Sequence, residues 1–191
     1  MAPSTTAPEV RRYRWTRADY DRVIETGGFG PEDKIELLDG ELWEMTPQGS
    51  AHSAVCGKVM YALQKAFGEA FFVRVQFPIA LDDVSEPEPD VAVVRGAPDD
   101  PFDGHPTEAL LLVEVSLSSL SFDRGRKLAA YARNGIPEYW VVDLNTEKLE
   151  VYREPKGTLY LSATVLNRGD TITPLHAPDA KVRVADLLRQ R

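Results

Sequence analysis

Three charged residues stand where the sequence gives them chemistry to do. Asp90 ends the run SEPEPD and leads into the apolar stretch VAVV. Glu114 interrupts a second apolar stretch, ALLLVEVS, and Lys127 follows in FDRGRKLAAYARNG. Carboxylates on adjacent strands can hold a hard divalent cation between them. An ammonium beside them can steady a developing oxyanion or orient a water. That combination suits metal-dependent hydrolysis of a phosphodiester.

Each residue also has a plainer reading. A carboxylate inside an apolar strand is costly unless it is paired, hydrogen-bonded or metal-bound, so Glu114 could simply pair with an arginine or lysine. Asp90, after Pro89, could be a turn aspartate bonding its own backbone. Lys127 could lie on the solvated face of a helix. The order strand, strand, helix is what favours reading the three together.

The elements that must position them follow from apolar spacing and breakers. WTRADYDRVIETGG reads as a short helix with Thr16 as N-cap, Ala18, Val23 and Ile24 on one face, and Gly27-Gly28 as its stop. KIELLDGELWEM reads as a hairpin turning at Asp39-Gly40. In SAHSAVCGKVMYALQKAFG, Val55, Val59, Leu63 and Phe67 recur at four-residue steps before Gly68, which marks a helix. Strands are expected over about 71–81, 89–95 and 109–116, the last a central strand covered on both faces. A second helix is expected over about 122–133, capped by Ser121 with Asp123 in its first turn and Asn134-Gly135 as its stop. EYWVVDL, KLEVYRE and TLYLSATVL read as further strands and VADLLRQ as a short helix. The strand–helix–strand unit from Leu110 to Asp143 calls for a parallel crossover. The fold class is therefore mixed α+β, with residues 1–14 as a loose tail and 15–191 as one domain.

Composition narrows the function. The 191 residues are 43% hydrophobic, enough for a core, and no apolar run nears the roughly 20 residues of a membrane helix. The opening MAPSTTAPEVRRYRW carries no stretch of signal-peptide type, so a cytoplasmic protein is expected. The net charge of −8 argues against a broad basic surface gripping bulk nucleic acid, but leaves room for an acidic metal site with a local basic rim. The single cysteine, Cys56, excludes an intramolecular disulfide framework and a cysteine-based zinc cluster, and reads as a small buried apolar residue. Three scattered histidines, His52, His105 and His176, argue against a histidine-dominated zinc site.

The pattern PDVAVV … LLLVEVSLSSLSFDRGRKLAAYARNGIPEYWVVD, with IELLDGEL before it (Ile35 to Leu42), resembles the Uma-two family of restriction-endonuclease-like proteins, within the PD-(D/E)XK nuclease superfamily. The resemblance runs from IELLDGEL through EYWVVD, at least the middle two-thirds of the chain. It implies a restriction-endonuclease-like core: a central mixed sheet flanked by helices, with a divalent-metal site at one edge. Asp90, preceded by Pro89, matches the aspartate of the PD motif, and Glu114 matches the second acid. The superfamily usually places its lysine two residues after that acid, where this chain has Ser116; Lys127, on the following helix, is the match. Glu36 matches an N-terminal glutamate of the family, with Glu41 a weaker candidate. His52, Asp123 and Tyr131 match recurrent positions; their plainer roles are a helix-start histidine, a helix cap and packing.

The reading is a metal-dependent nuclease using Mg²⁺ or Mn²⁺. Asp90, Glu114 and the Val115 carbonyl would be its metal ligands, with Lys127 and Glu36 completing the catalytic set. Nucleic acid, DNA above all, would be its substrate and a homodimer its assembly. The alternative is a nuclease-fold protein that binds nucleic acid or serves as a structural or regulatory subunit without cutting.

Overall fold

The clearest periodic segment forms the longest helix. The computed structural model describes residues 10–30, 33–46, 48–97 and 104–189. In it α2 spans Ser50–Phe67, buries Val55, Cys56, Val59, Leu63 and Phe67, and stops at Gly68. Four-residue spacing puts these side chains on one stripe, which the sheet must cover.

That sheet has six strands in the order β3-β4-β5-β6-β7-β8, with β3 Phe71–Val75, β4 Val91–Arg95, β5 Leu111–Ser116, β6 Glu138–Asp143, β7 Lys148–Lys156 and β8 Leu159–Leu166. Only β5 and β6 run parallel, joined by the expected helical crossover; the other neighbours are antiparallel. The mixed α+β architecture is as expected. β5 and β6 are buried along their whole length, as central strands with both faces covered must be. On one face α2 packs over Val91, Val113, Val115 and Trp140. On the other, Ala92, Leu112, Tyr139 and Val141 meet Ala130 and Tyr131 of the crossover and Leu38 of a small hairpin.

That hairpin pairs β1 Ile35–Leu38 with β2 Glu41–Glu44. Asp39 (φ 55°) and Gly40 (φ 71°) make its turn, the left-handed pair a two-residue hairpin requires. Helix α1, Arg17–Glu25, starts at the expected Thr16, whose hydroxyl and Asp19 form a reciprocal capping box. Its buried residue is Tyr20, whose hydroxyl donates to the Ile35 carbonyl at 2.5 Å, whereas Ile24 is half exposed. The apolar face expected from Ala18, Val23 and Ile24 is thus not the one that docks. A second small pairing, β9 Thr171–Ile172 with β10 Val182–Arg183, and helix α5, Val184–Leu187, close the chain against α2.

Three further expectations change. Strand β3 ends at Val75 rather than near 81, because Gln76 turns into the left-handed region at φ 53°. The crossover is helical from α3 (Leu120–Phe122) through α4 (Leu128–Arg133), but residues Asp123–Lys127 between them form a π turn. Its N-cap is Ser119, not Ser121. The tail expected over 1–14 falls largely on residues outside the described ones. Within the described part, Arg12 bonds Glu41 and Arg14 bonds the Asp39 carbonyl. No helix among the described residues is long and apolar enough to cross a membrane.

Candidate active site

The sheet brings the carboxylates together at one end. Val91 of β4 is paired with Val113 of β5; one step further along that register, Asp90 stands beside Glu114. Asp90 Oδ2 accepts the Val115 N–H at 2.8 Å, so the side chain takes the place of the next backbone partner. The same oxygen lies 3.0 Å from His52 Nε2, in the first turn of α2. Oδ1 accepts from the Gln48 amide at 3.2 Å and from Gln76 at 3.5 Å, and Gln76 also donates to Gln48. Burial works to raise the pKa of Asp90, but the His52 hydrogen bond and charge and the Val115 N–H outweigh it and hold the carboxyl below its ordinary value.

Glu114 lies under the crossover helix. Its Oε1 accepts from Lys127 Nζ at 3.0 Å and from the Tyr131 hydroxyl at 2.7 Å. Lys127, 1% exposed, also reaches Glu36 of β1, at 3.3 Å to Oε1 and 3.2 Å to Oε2. Glu36 Oε2 is close in distance, yet it is cut off from solvent and accepts no hydrogen bond of acceptable geometry among the described residues. Burial pushes the carboxyls of Glu114 and Glu36 upward, against the pull of Lys127, and neighbouring acids add to the rise. Burial opposes the charge on Lys127, but Glu114, Glu36, Asp123 and Asp90 together raise its pKa above that of an ordinary lysine.

The π turn explains how Lys127 arrives there. A π turn inserts one residue into a helix and widens it, and both Asp123 and Lys127 point inward from it. Asp123 Oδ2 accepts from Ser116 and Ser119, each at 2.6 Å. Ser116, two residues after Glu114, thereby helps hold the helix start.

Asp90, Glu114, Val115, Lys127 and Glu36 all line one cleft of about 250 Å³, together with His52, Asp123, Lys34 and Glu88. Glu41 does not line it: it faces outward, where it pairs with Arg12 and Arg126. The sequence pattern passed over Gln48, Gln76 and Glu88. The left-handed Gln76 had no signal, since asparagine and glycine are the usual occupants of that region. Glu88 was legible only as part of the acidic SEPEPD run.

A nitrogen, a sulphur and an oxygen donor also meet beside the cleft. His52, Cys56 and Asp90 each present a ligand atom within 4.8 Å of the others. Burial, followed by the negative charges of Asp90 and Glu114, pushes the Cys56 thiol up.

Family and fold are those of a nuclease-like protein. Residues 17–185 match the model of the Uma2 family, described as "Putative restriction endonuclease", and the chain belongs to that family. No curated protein matches it. The fold is shared with a crystal structure from Anabaena variabilis ATCC 29413, titled a putative nuclease belonging to DUF820. The TM-score is 0.70 at 16% identity, over 91% of this chain and 97% of that one.

Proposed function

We propose that the protein is a metal-dependent nuclease that hydrolyses phosphodiester bonds at this cleft. The observation that carries the reading is Lys127: its ammonium bridges Glu114 and Glu36, from two further segments, at 3.0 and 3.2 Å. On this reading the helix supplies the lysine that position 116 lacks. The residues fit a hard cation. Their carboxylates line one cleft from β1, the start of β4 and β5, and Glu36 Oε2 accepts no hydrogen bond of acceptable geometry among the described residues. Asp90, Glu114 and the Val115 carbonyl would hold Mg²⁺ or Mn²⁺, with Glu36 contributing directly or through water. When bound, the cation would polarise the phosphate and lower the pKa of a water.

The protein's own groups divide the remaining work. His52, Gln48 and the Val115 N–H fix the orientation of Asp90. Tyr131 and Lys127 do the same for Glu114. Lys127 stays protonated and offers its ammonium to the attacking water or to the charge that develops on the phosphate. Nucleic acid is the substrate class the family implies, and two-fold pairing of chains would suit cutting both strands.

The alternative, a nuclease-fold protein that binds or scaffolds without cutting, draws support from the net charge of −8. One assay separates the two. Purified protein is incubated with duplex DNA, single-stranded DNA and RNA in Mg²⁺ or Mn²⁺, with Glu114→Gln as control. Metal-dependent cleavage absent from the control supports the nuclease. No cleavage of any of the three favours the alternative.

A further inference from the structure

The trio beside the cleft differs in chemical kind from the acids within it. His52 and Cys56 are four residues apart on α2 and so share one face. Cys56 Sγ lies 3.4 Å from His52 Nδ1 and 4.0 Å from Nε2, and Nε2 lies 3.0 Å from Asp90 Oδ2. Around a tetrahedral Zn²⁺, with bonds of about 2.0–2.3 Å, donor atoms sit roughly 3.2–3.7 Å apart. The Sγ–Nε2 and Nε2–Oδ2 separations, 4.0 and 3.0 Å, bracket that range, all three donors lie within 4.8 Å of one another, and side-chain rotations would close them onto one ion. Cysteines alone, or histidines alone, could not build such a site in this chain. A mixed set needs only one of each.

Donor softness separates this site from the acidic one. Mg²⁺ takes oxygen ligands and dehydrates reluctantly, whereas a thiolate and an imidazole select Zn²⁺-like ions. The two donor sets share one residue, Asp90. A carboxylate drawn toward His52 and Cys56 turns away from Glu114.

We propose that His52, Cys56 and Asp90 form a binding site for a thiophilic divalent cation of the Zn²⁺ class, which competes with the hard cation for Asp90 and switches the cleft off. On binding, the Cys56 thiol gives its proton to solvent and its sulphur lone pair to the metal. His52 gives the Nε2 lone pair and keeps its ring proton on Nδ1. A water from the cleft, which His52 and Asp90 line, completes four-coordination. The binding itself stands apart from the nuclease reading; its inhibitory consequence rests on that reading.

The test uses the full chain and metals alone. Titration with Cd²⁺ should produce one equivalent of a thiolate-to-cadmium charge-transfer band in the ultraviolet. Zn²⁺ should abolish it by displacement. Cys56→Ser should remove the band and weaken Zn²⁺ binding by more than about 100-fold, beyond what loss of an outer-shell partner costs. The variant should keep the wild-type far-ultraviolet circular dichroism spectrum and its Mn²⁺-induced thermal shift. Cys56→Ala, free of any hydroxyl ligand, should behave the same way. A wild type with no band overturns the site, as does a band that persists in His52→Ala and Asp90→Asn, which would mark binding by the sulphur alone. Competition is read separately, as the drop in bound Mn²⁺ measured by electron paramagnetic resonance when one equivalent of Zn²⁺ is added. A drop in wild type but not in Cys56→Ser supports the switch. Unchanged Mn²⁺ binding in a protein that shows the cadmium band overturns the competition. Because these readouts need no cleavage, an inactive wild type would count against the nuclease reading and not against the zinc site.

Discussion

Glu114 and Glu138 are buried carboxylates on neighbouring parallel strands, yet their surroundings are opposite in kind. Glu138 at the start of β6 is saturated. Its Oε1 accepts from Trp140 and twice from Arg153, and its Oε2 accepts the Leu175 N–H at 2.7 Å. One negative charge meets one positive charge, and Arg153 keeps part of its side chain in solvent. Glu114 shares a single ammonium with Glu36, has Asp90 beside it, and opens on a cleft. A buried acid whose hydrogen bonds are complete holds a fold together. A group of acids with too few cations stores a demand for one more. The strand pattern is the same in both cases; only the partners differ.

The largest effect that would sharpen this contrast is on catalysis. Glu114→Gln should lower metal-dependent kcat/KM by about 1,000-fold or more, a loss of some 4 kcal/mol of transition-state stabilisation. Glu138→Gln, per folded molecule, should stay within about threefold of wild type. Lys127→Ala should also lose most cleavage while still binding metal. Equal losses at Glu114 and Glu138 would erase the distinction.

Metal binding comes next. Mn²⁺ at about 100 times its Kd should stabilise the wild type by about 2.7 kcal/mol. Asp90→Asn should lose most of that gain and Glu138→Gln should keep it, as read from thermal melts with and without the ion. An unchanged melting temperature in the wild type at millimolar metal would count against a preformed site.

Stability without metal should run in the reverse order. Glu138→Gln leaves Arg153 short of its partner and should cost about 2–3 kcal/mol, the scale of charge-assisted hydrogen bonds. Glu114→Gln relieves repulsion among clustered acids and should cost less than about 1 kcal/mol. Urea titrations of both variants measure the difference.

The smallest effect is in pH. The pKa values of Glu114 and Glu36 are raised in the fold. The stability their protonated forms contribute is therefore full below the ordinary carboxylate range, and it is lost as pH rises from there through the folded values. Lys127 is raised too; its contribution persists until strongly alkaline pH and drops out of the comparison near neutrality. The wild type should thus lose stability relative to Glu114→Gln as pH rises above the ordinary carboxylate range. Over the same range the Mn²⁺ shift should grow, as the cation displaces protons less and less often. A difference that stays flat with pH would show that Glu114 ionises as freely as a surface acid.

Much of this was legible in the sequence. The four-residue stripe of α2, the Asp39-Gly40 turn and the unbroken apolar run of β5 each reflect a single strong local rule, and each gave its element. Glu114 was singled out because charge inside an apolar strand is expensive, Asp90 and Lys127 by their order around it and the family pattern, and Glu36 by the family pattern alone. Their meeting in one cleft is a matter of tertiary placement, which no local rule contains. Ile24 misled because a short, weakly apolar helix docks by whichever side chain finds a partner, here Tyr20 and the Ile35 carbonyl. Gln76 and the π turn were illegible for a different reason. Both are departures from regular geometry held in place by their neighbours, so their own residue types do not announce them.

The π turn carries a consequence for how this protein can vary. Removing one residue from Asp123–Lys127, for instance Gly125, whose surroundings are open, would restore an ordinary helix. The wide turn holds that extra residue locally, so the helix on either side of the cut would keep nearly its present phase. With α4 anchored by Ala130 and Tyr131, the change would fall inside the turn, on the four-residue step that turns both Asp123 and Lys127 inward. The count of residues between Asp123 and Lys127 therefore sets whether Ser116 and Glu114 are both met from one helix, and a deletion here touches two contacts at once.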